Sequence, residues 1–308
     1  MIGTHFLSRS LKTRVTLFTL AIFVIGIWSL TFYASHILHE DMERQLGDQQ
    51  FSLASVLAEN INSQMEDRLN ALKNTAKIIT PAVLSTHASQ LAFLEARPTL
   101  KTLFNGGYFI VDFEGTATAS VPLSAERLGL NYGDRQHISV ALKEGKSTIS
   151  QPLVTKTLTK AVISMATPIR DDQGKITGAL VASIDLNKAN FLDKISTSDY
   201  GRNGGHLLVI TQESRLIVTA ADRRRIMETL PAPGINPAID RFTSGYEGSA
   251  TLNTPTGVEV LASAKQIPAA NWYLAAALPT EKAFAPIHDM QKRLSLAAFV
   301  LSLLAGGL

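Results

Sequence analysis

The feature that most constrains this chain is an uncharged run of 23 residues near its beginning. Residues 15–37, VTLFTLAIFVIGIWSLTFYASHI, contain no Asp, Glu, Lys or Arg, and a helix of about 20 apolar residues is long enough to cross a bilayer. The alternative is a cleaved signal peptide, whose apolar core spans only about 7–15 residues and ends at a small-residue cleavage site. No such site follows this run, so the sequence predicts a transmembrane helix.

The charges on the two sides of this run predict its orientation. Arg9, Lys12 and Arg14 precede the run, whereas acidic residues follow it from Glu40 onward. Basic residues flanking a membrane span favour the cytoplasmic side. We therefore expect residues 1–14 in the cytoplasm, a helix anchored in the bacterial inner membrane, and the chain after about residue 37 in the periplasm.

A second apolar run lies at the other end of the sequence. Residues 294–308, LSLAAFVLSLLAGGL, follow Lys292 and Arg293 and carry no charge. An amphipathic tail lying on the membrane would need a charged face, which this run lacks. The run is shorter than a spanning helix requires, so we expect it to begin a second transmembrane helix that continues beyond residue 308. An exit helix, residues 281–293, is predicted before it.

Composition and motifs exclude several classes of function. The net charge of +3 over 308 residues comes from scattered Lys and Arg, so no basic surface for nucleic acid is predicted. The chain has no cysteine, which excludes disulfides and thiol chemistry. The EGKS stretch lacks the first glycine of a phosphate-binding loop, because Val140 stands there. We predict no enzyme activity, no cofactor and no metal site within these residues.

A long helix is predicted directly after the membrane run, in residues 38–80. This region contains no proline, and Pro81 is expected to end the helix. Its apolar stripe is predicted either to form a homodimer with a second copy or to pack on the chain's own domain. Apolar residues recur in steps of three, four or seven at Leu46, Leu53, Leu57, Ile61, Met65, Leu69, Leu72, Ala76 and Ile79.

Beyond the long helix, apolar residues alternate with polar ones, and turn residues separate the alternating segments. This pattern predicts an antiparallel sheet crossed by one helix. The predicted elements are a hairpin in residues 107–121 that turns near Glu114 and Gly115, a helix in residues 134–143 closed by Gly145, and strands in residues 161–169 and 175–186.

The same order of elements returns in a shorter form in the last third of the chain. An internal duplication is the simplest explanation. The sequence therefore predicts two modules, a membrane-distal one in residues 81–187 and a membrane-proximal one in residues 188–280. The repeated strands are expected in residues 205–210, 214–219, 258–267 and 272–278, after a connecting helix in residues 187–198.

Four segments resemble the double Cache, PAS-like sensor domains of bacterial transmembrane receptors. They are NYGDRQHISVALKEGKSTISQPLV (131–154), AVISMATPIRDDQGKITGALVASIDL (161–186), GRNGG (201–205) and NWYLAAALP (271–279). The resemblance implies an α+β fold in which a long N-terminal helix precedes two Cache modules with antiparallel sheets, flanked by transmembrane helices.

This resemblance also implies a function. The sequence pattern is most similar to that of the sensors of diguanylate cyclases. We therefore expect an extracytoplasmic small-molecule sensor that signals across the inner membrane to a cytoplasmic cyclase. The alternatives are the ligand-binding domain of a chemoreceptor or sensor histidine kinase, or a membrane-anchored protein-binding module.

In amino-acid-binding members of the family, an Arg early in the first-module helix grips the ligand carboxylate and an Asp at the end of the last strand takes the ammonium group. Arg135 and Asp185 stand at matching positions, which implies a carboxylate-bearing or zwitterionic ligand. The family has aromatic residues just after that Arg, whereas this chain has His137 and Ile138 at those positions. The alternative is that Arg135 and Asp185 form a structural ion pair.

Further candidate site residues follow from position alone. Tyr132 and His137 flank Arg135. The strand positions predicted to face the helix are Tyr108 or Ile110, Ser120, and Ser164 or Met165. The loop between residues 145 and 160 is expected to cover the site.

Overall fold

The computed structural model describes residues 11–156, 160–193, 205–220, 222–254 and 257–307. The chain divides into two compact units. Gln50–Pro279 form one unit, and the described residues before and after them form the other. The connecting helix predicted in residues 187–198, the GRNGG segment and the predicted covering loop each lie partly outside the described residues.

The first element is one continuous helix, α1 (Leu11–Lys77), which contains both the uncharged run and the predicted long helix. Among the described residues, α1 holds the one stretch, from Phe18 onward, that is long and apolar enough to cross a membrane. This finding is consistent with a membrane anchor near the N-terminus. Residues 294–307 belong to the last helix, α8 (Ala285–Gly307), and a second span stays a prediction.

The end of α1 differs from the prediction at Pro81. The helix ends at Lys77, where the amides of Ile78 and Ile79 bond to carbonyls three residues back. Pro81 instead begins a short helix, α2 (Pro81–Leu84), and Thr80 caps that helix through the Val83 amide. Proline is well tolerated in the first turn of a helix, because its missing N–H would have no partner there.

The apolar stripe of α1 packs on the protein's own domain from Ala54 onward. Its buried members belong to one core with residues of both sheets. They are Ala54, Ala58, Ile61, Met65, Leu72 and Ala76, and Ile79, just after the end of the helix, belongs to the same core. A homodimer through other parts of this helix stays a prediction.

The first module contains an antiparallel sheet in the order β2-β1-β6-β5-β3, with β4 also paired to β5. Two further short helices, α3 (His87–Glu95) and α4 (Pro98–Leu103), precede it. The helix α5 (Gln136–Glu144) packs across β5 and β6. The strands are β1 (Tyr108–Asp112), β2 (Ala117–Val121), β3 (Thr148–Ile149), β4 (Leu153–Val154), β5 (Ala161–Arg170) and β6 (Ile176–Asp185).

The second module repeats this arrangement with the order β8-β7-β11-β10-β9. A 3-10 helix (Arg223–Arg225) and a helix α6 (Pro237–Thr243) lie between β8 and β9 in the sequence. A short helix α7 (Thr280–Ala283) follows the last strand. The strands are β7 (His206–Thr211), β8 (Ile217–Ala220), β9 (Gly248–Asn253), β10 (Glu259–Ile267) and β11 (Trp272–Pro279).

Each sheet has two differently used faces. One face contributes to the core that contains α1, and the other face forms a separate smaller core, with α5 in the first module and α6 in the second. The prediction of an α+β fold with a long N-terminal helix and two antiparallel modules is confirmed. Most of the connecting helix predicted in residues 187–198 lies outside the described residues, and Asp193, the last residue described before that gap, is helical. Just before it, the Asn190 amide donates to the Asp193 carboxylate, and the Asn190 side chain accepts from the Leu192 amide.

Candidate functional site

The site lies at the N-terminal end of α5, on the sheet face opposite α1. Gly145 ends α5 in the left-handed conformation (φ +66°), which glycine adopts without steric cost. Ile138, Ala141 and Leu142 hold the helix on the sheet. A cavity of about 40 Å³ remains beside the first turn, and its lining residues are Phe109, Arg127, Tyr132, Arg135, His137, Ile138, Leu153, Thr155, Lys156, Val162, Ser164 and Ser183.

The loop before α5 is fixed by Asn131. Its amide donates to the Glu114 carbonyl at 2.8 Å, and its oxygen accepts from the Gly133 amide at 2.9 Å. These bonds tie the loop to the β1–β2 turn. The tie places Tyr132 and Arg135 at the cavity.

Arg127 is the most unusual residue of the site. Its guanidinium carbon lies 4.9 Å from the centre of the Phe109 ring. The Nη1 atom is buried and has no hydrogen-bond partner among the described residues. Burial lowers the pKa of Arg127, and the Tyr132 hydroxyl opposes this change. A buried charged group without a full set of partners is costly, so this nitrogen is a ready donor for an anion.

Arg135 occupies the rim of the cavity, at the N-cap position of α5. The residue is half-buried, and Nη2 donates to the Val154 carbonyl at 3.3 Å. Arg135 also lines a wider, open cleft of about 610 Å³ between the modules, where Glu213 and Asn271 face it from the second module. The side chain is therefore free to approach a ligand from the solvent side.

Lys156 is the third cation at the cavity. Its Nζ donates to the Asp134 carboxylate at 2.7 Å and to the Asn131 carbonyl at 2.8 Å. The hydrogen bond from Lys156 to the Asp134 carboxylate lowers the pKa of Asp134. The Asp134 charge is therefore balanced by Lys156, and Asp134 itself does not line the cavity.

His137 and Tyr132 supply the buried walls. His137 is 6% exposed, and burial, with a smaller effect from Arg135, lowers its pKa to about 4. The imidazole is therefore neutral at pH 7. The Tyr132 ring lies 5.2 Å from the Phe109 ring, and burial raises the pKa of its hydroxyl.

The floor of the cavity is polar. Ser164 and Ser183 face each other on the paired strands β5 and β6. Their hydroxyl oxygens are 2.7 Å apart, and the Ser164 amide donates to the Ser150 hydroxyl at 2.9 Å. Hydroxyls on such a floor can accept from or donate to a bound molecule.

The structure brings four of the seven predicted site residues to this cavity: Tyr132, Arg135, His137 and Ser164. Asp185 is not among them. It is 3% exposed, accepts from the Asn187 amide at 3.0 Å and lies 3.9 Å from the Lys160 ammonium. No ion pair between Arg135 and Asp185 forms among the described residues, because Lys160 is the cation beside Asp185.

The structure places Tyr108 and Ser120 outside the cavity, and only the strand face predicted for Tyr108 was wrong. Tyr108 lies on the opposite face of the sheet, in the core with α1, and its hydroxyl donates to the Leu94 carbonyl at 3.3 Å. Successive strand residues point to opposite faces, so Phe109 lines the cavity instead. Ser120 lies on the cavity side but is fully buried outside the cavity, where it donates to the Pro122 carbonyl.

The lining residues that were not among the predicted site residues include Phe109, Arg127, Lys156 and Ser183. The pairing of the predicted strands could have identified Phe109 and Ser183. Phe109 pairs with a residue of β6, and Ser183 pairs with the predicted site residue Ser164. Arg127 lies in the irregular segment between β2 and α5. No periodic pattern indicates which way such a side chain points.

Comparisons with known proteins agree on one family. The family model described as Cache domain matches residues 38–287. The methyl-accepting chemotaxis protein PctB of Pseudomonas aeruginosa is 25% identical over 296 residues, which cover 95% of this chain and 45% of that protein. PscA of Pseudomonas syringae pv. tomato, also a methyl-accepting chemotaxis protein, is 23% identical over 78% of this chain and 36% of its own length. The chain thus spans less than half of these relatives.

Solved ligand-binding domains have the same fold. The PctB domain in complex with L-Arg superimposes with a TM-score of 0.62 at 20% identity, covering 83% of this chain and 99% of that chain. The domain of the Pseudomonas fluorescens chemoreceptor CtaA with L-isoleucine gives 0.61 at 19% identity over 82% and 99%. The PctC domain of Pseudomonas aeruginosa with GABA gives 0.59 at 19% identity over 75% and 99%.

Proposed function

Because this chain belongs to the Cache domain family, we propose that it is the extracytoplasmic sensor part of a chemoreceptor and that its first module binds a small carboxylate-bearing molecule. The domain is a sensor module and not an enzyme. The preference for a diguanylate cyclase output is not supported, since the matched relatives are chemotaxis receptors. The chemoreceptor alternative is therefore the better one.

The charge of the cavity carries the proposal for the ligand. Three cationic side chains, Arg127, Arg135 and Lys156, line it, and no carboxylate is found among its described lining residues. The buried Nη1 of Arg127 has no partner there. A carboxylate would supply that partner, because a planar guanidinium binds a carboxylate through two parallel hydrogen bonds.

The second polar group of the ligand is less constrained. The relatives were solved with L-Arg, L-isoleucine and GABA, all of which combine a carboxylate with an amino group. Here Asp185, the expected partner of an ammonium group, lies outside the cavity beside Lys160. We therefore propose that the carboxylate is the essential feature and that small organic acids bind at least as well as amino acids.

Ligand entry would require side chains to move. The cavity of about 40 Å³ is far smaller than the roughly 300–1,000 Å³ of common ligand pockets. Arg127 over Phe109 and Lys156 near Tyr132 occupy the space. A ligand that displaces them favours a second arrangement of the module, and a difference in affinity between two arrangements is what a signal requires.

We propose that α1 carries this signal towards the membrane. Gln50 bonds to Leu261 and Ser263 of β10, and Asn62 accepts from the Ala269 amide. The helix is therefore tied to the second module by polar contacts. In this proposal α1 anchors the chain in the inner membrane, the modules lie in the periplasm, and α1 pairs with a second copy.

The test is a thermal-shift and calorimetric screen of the whole chain in nanodiscs. Matched pairs such as GABA with butyrate, and alanine with lactate, separate the contribution of the amino group. We expect carboxylates to raise the melting temperature and Arg127→Gln to weaken binding about 10- to 100-fold, the worth of a hydrogen bond to a charged group.

The matched control is Arg241→Gln, which removes an Arg stacked over the Tyr246 ring of the second module. This control should bind the carboxylate as the wild type does. If no carboxylate stabilises the chain, or if Arg127→Gln binds equally well, the proposed site is wrong. The membrane-anchored protein-binding module would then be the better hypothesis, although the cavity beside Arg135 argues against it.

A further inference from the structure

The second module contains a cavity of its own, larger than that of the first. It measures about 510 Å³, within the roughly 300–1,000 Å³ range of small-molecule pockets. It lies between α6 and the sheet face opposite α1. Most of its wall is apolar and includes Leu208, Ile210, Ile239, Phe242, Leu252 and Val260.

Small side chains on the strands create this space. Ala262 of β10 and Ala277 of β11 are directly paired, and Ala275 precedes Ala277 on the same face. Ala275 and Ala277 are only half-buried although they lie in the middle of the module's sheet. The methyl side chains of these alanines are too short to reach α6, so space remains between the sheet and the helix.

The charged residues at the cavity wall satisfy each other. Arg225 Nε donates to Glu228 Oε2 at 2.7 Å, and Arg225 Nη2 donates to Glu228 Oε1 at 3.0 Å. Such a two-bond pair uses the directions in which a guanidinium binds a carboxylate. The cavity therefore offers no unpaired charge to a ligand from this pair.

A tyrosine lies among the apolar residues of the cavity wall. Tyr273 is 2% exposed and lines the cavity. Burial raises the pKa of its hydroxyl, so it remains a protonated donor. Buried polar groups nearly always have a partner, and a molecule bound in the cavity can provide one.

From these observations we infer that the second module has a separate binding site for an uncharged, mostly apolar small molecule with one hydrogen-bonding oxygen. The apolar wall binds the body of the molecule, and the Tyr273 hydroxyl donates to its oxygen. The ligand chemistry is the opposite of that proposed for the first module. The chain would then sense two unrelated classes of compound.

A ¹⁹F NMR titration of the whole chain in nanodiscs tests this site. The probe is 4′-fluoroacetophenone, which has a carbonyl oxygen. The comparison probes are 1-ethyl-4-fluorobenzene, which lacks oxygen, and 4-fluorobenzoate, which is charged. Because every variant is measured in the same nanodiscs, partition of the probes into lipid cancels. We expect saturable binding of the ketone and none of the benzoate at this site.

Three variants locate the binding. Ala277→Leu should abolish saturable binding by filling the cavity, whereas Ala82→Leu, which adds the same atoms at an exposed position on α2, should not. Tyr273→Phe should weaken the ketone about 2- to 12-fold, the worth of one hydrogen bond, and leave the ethyl compound unchanged. Tyr273→Phe removes a single oxygen, so it tests the site even if Ala277→Leu is poorly folded.

Two results would overturn the inference. One is ketone binding that Ala277→Leu and Tyr273→Phe leave intact, and the other is benzoate binding that is as tight as that of the ketone and that Ala277→Leu abolishes, which would place the charged probe in this cavity. The Arg127→Gln variant separates the two proposals. It should lose carboxylate binding in the first module and retain the ketone, so failure of one site is distinguishable from failure of the other.

Discussion

The two modules share a strand order but differ in what their outer faces enclose. In both, the equivalent helix covers the sheet face that does not contact α1. In the first module the Phe109 and Tyr132 rings and two cations leave a cavity of about 40 Å³. In the second module paired alanines leave about 510 Å³. The shared topology determines where each cavity lies, and the side chains determine what it can hold.

The charges differ in the same way. The first cavity collects Arg127, Arg135 and Lys156 without a lining carboxylate among its described residues. The second cavity has Arg225 already paired with Glu228. The outer face of the first module thus suits an anion and that of the second suits an uncharged molecule, while the faces on α1 are apolar in both modules.

The largest expected effect tests what the modules have in common. Ile163 in the first sheet and Leu274 in the second are fully buried in the core that contains α1. Ile163→Ala and Leu274→Ala should each lower the free energy of unfolding by about 2–5 kcal/mol. Because the core is shared, urea unfolding followed by tryptophan fluorescence and by circular dichroism should show one coincident transition.

A control for this prediction is Val56→Ala on the exposed side of α1. It should change the free energy of unfolding by less than about 0.5 kcal/mol. Two separate transitions, with each core substitution affecting only one of them, would show that the modules are independent and would break the comparison.

The next effect is acid sensitivity of the first module's outer face. The pKa of His137 is about 4 in the folded chain, against about 6.5 in an unfolded chain. The unfolded state therefore binds the proton more tightly, and stability falls as the pH drops through this window. We expect a loss of about 2 kcal/mol between pH 7 and pH 5 and about 3 kcal/mol by pH 4.

Equilibrium unfolding at these pH values measures the loss. His137→Gln should flatten this dependence, while His87→Gln on the exposed surface of α3 should keep the wild-type slope. An unchanged slope in His137→Gln would mean that other groups cause the acid sensitivity.

A smaller effect compares how much the two arginines of the first cavity contribute to carboxylate binding. Arg135 is half-buried at the rim of the cavity and bonds to the Val154 carbonyl, whereas Arg127 has a buried, unpartnered nitrogen. Exposed charge pairs contribute about 0.2–1 kcal/mol, so Arg135→Gln should weaken carboxylate binding only about two- to fivefold in a calorimetric titration. A larger loss than in Arg127→Gln would reverse the assignment and make Arg135 the main contact.

An effect of similar size concerns the attachment of α1 to the second module. The Gln50 amide donates to the Leu261 carbonyl at 3.0 Å and accepts from the Ser263 hydroxyl at 2.9 Å. Gln50→Leu should cost about 1 kcal/mol in the free energy of unfolding. In a double-mutant cycle with Ser263→Ala the two losses should not add, because the residues share one bond. Additive losses would contradict the proposed tie.

Much of the fold could be predicted because periodicity is a local property of the chain. The stripe from Leu57 to Ile79 indicated a helix, and the alternating residues of β5 and β6 indicated two paired strands. The helix predicted after β6 stays a prediction, because most of it lies outside the described residues. The site was found only in part, because assigning Tyr108 to the cavity instead of Phe109 is a shift of one residue to the other face.

The sequence by itself determined the apolar N-terminal run, the long helix, the repeated order of strands and a charged residue at the start of α5. These depend on spacing within a single segment. Only the tertiary structure decided that Arg127 from an irregular segment meets the first turn of α5, that Asp185 lies beside Lys160, and that alanines on two strands open a cavity under α6. Each of these depends on distances between segments far apart in the chain, and no local pattern records such distances.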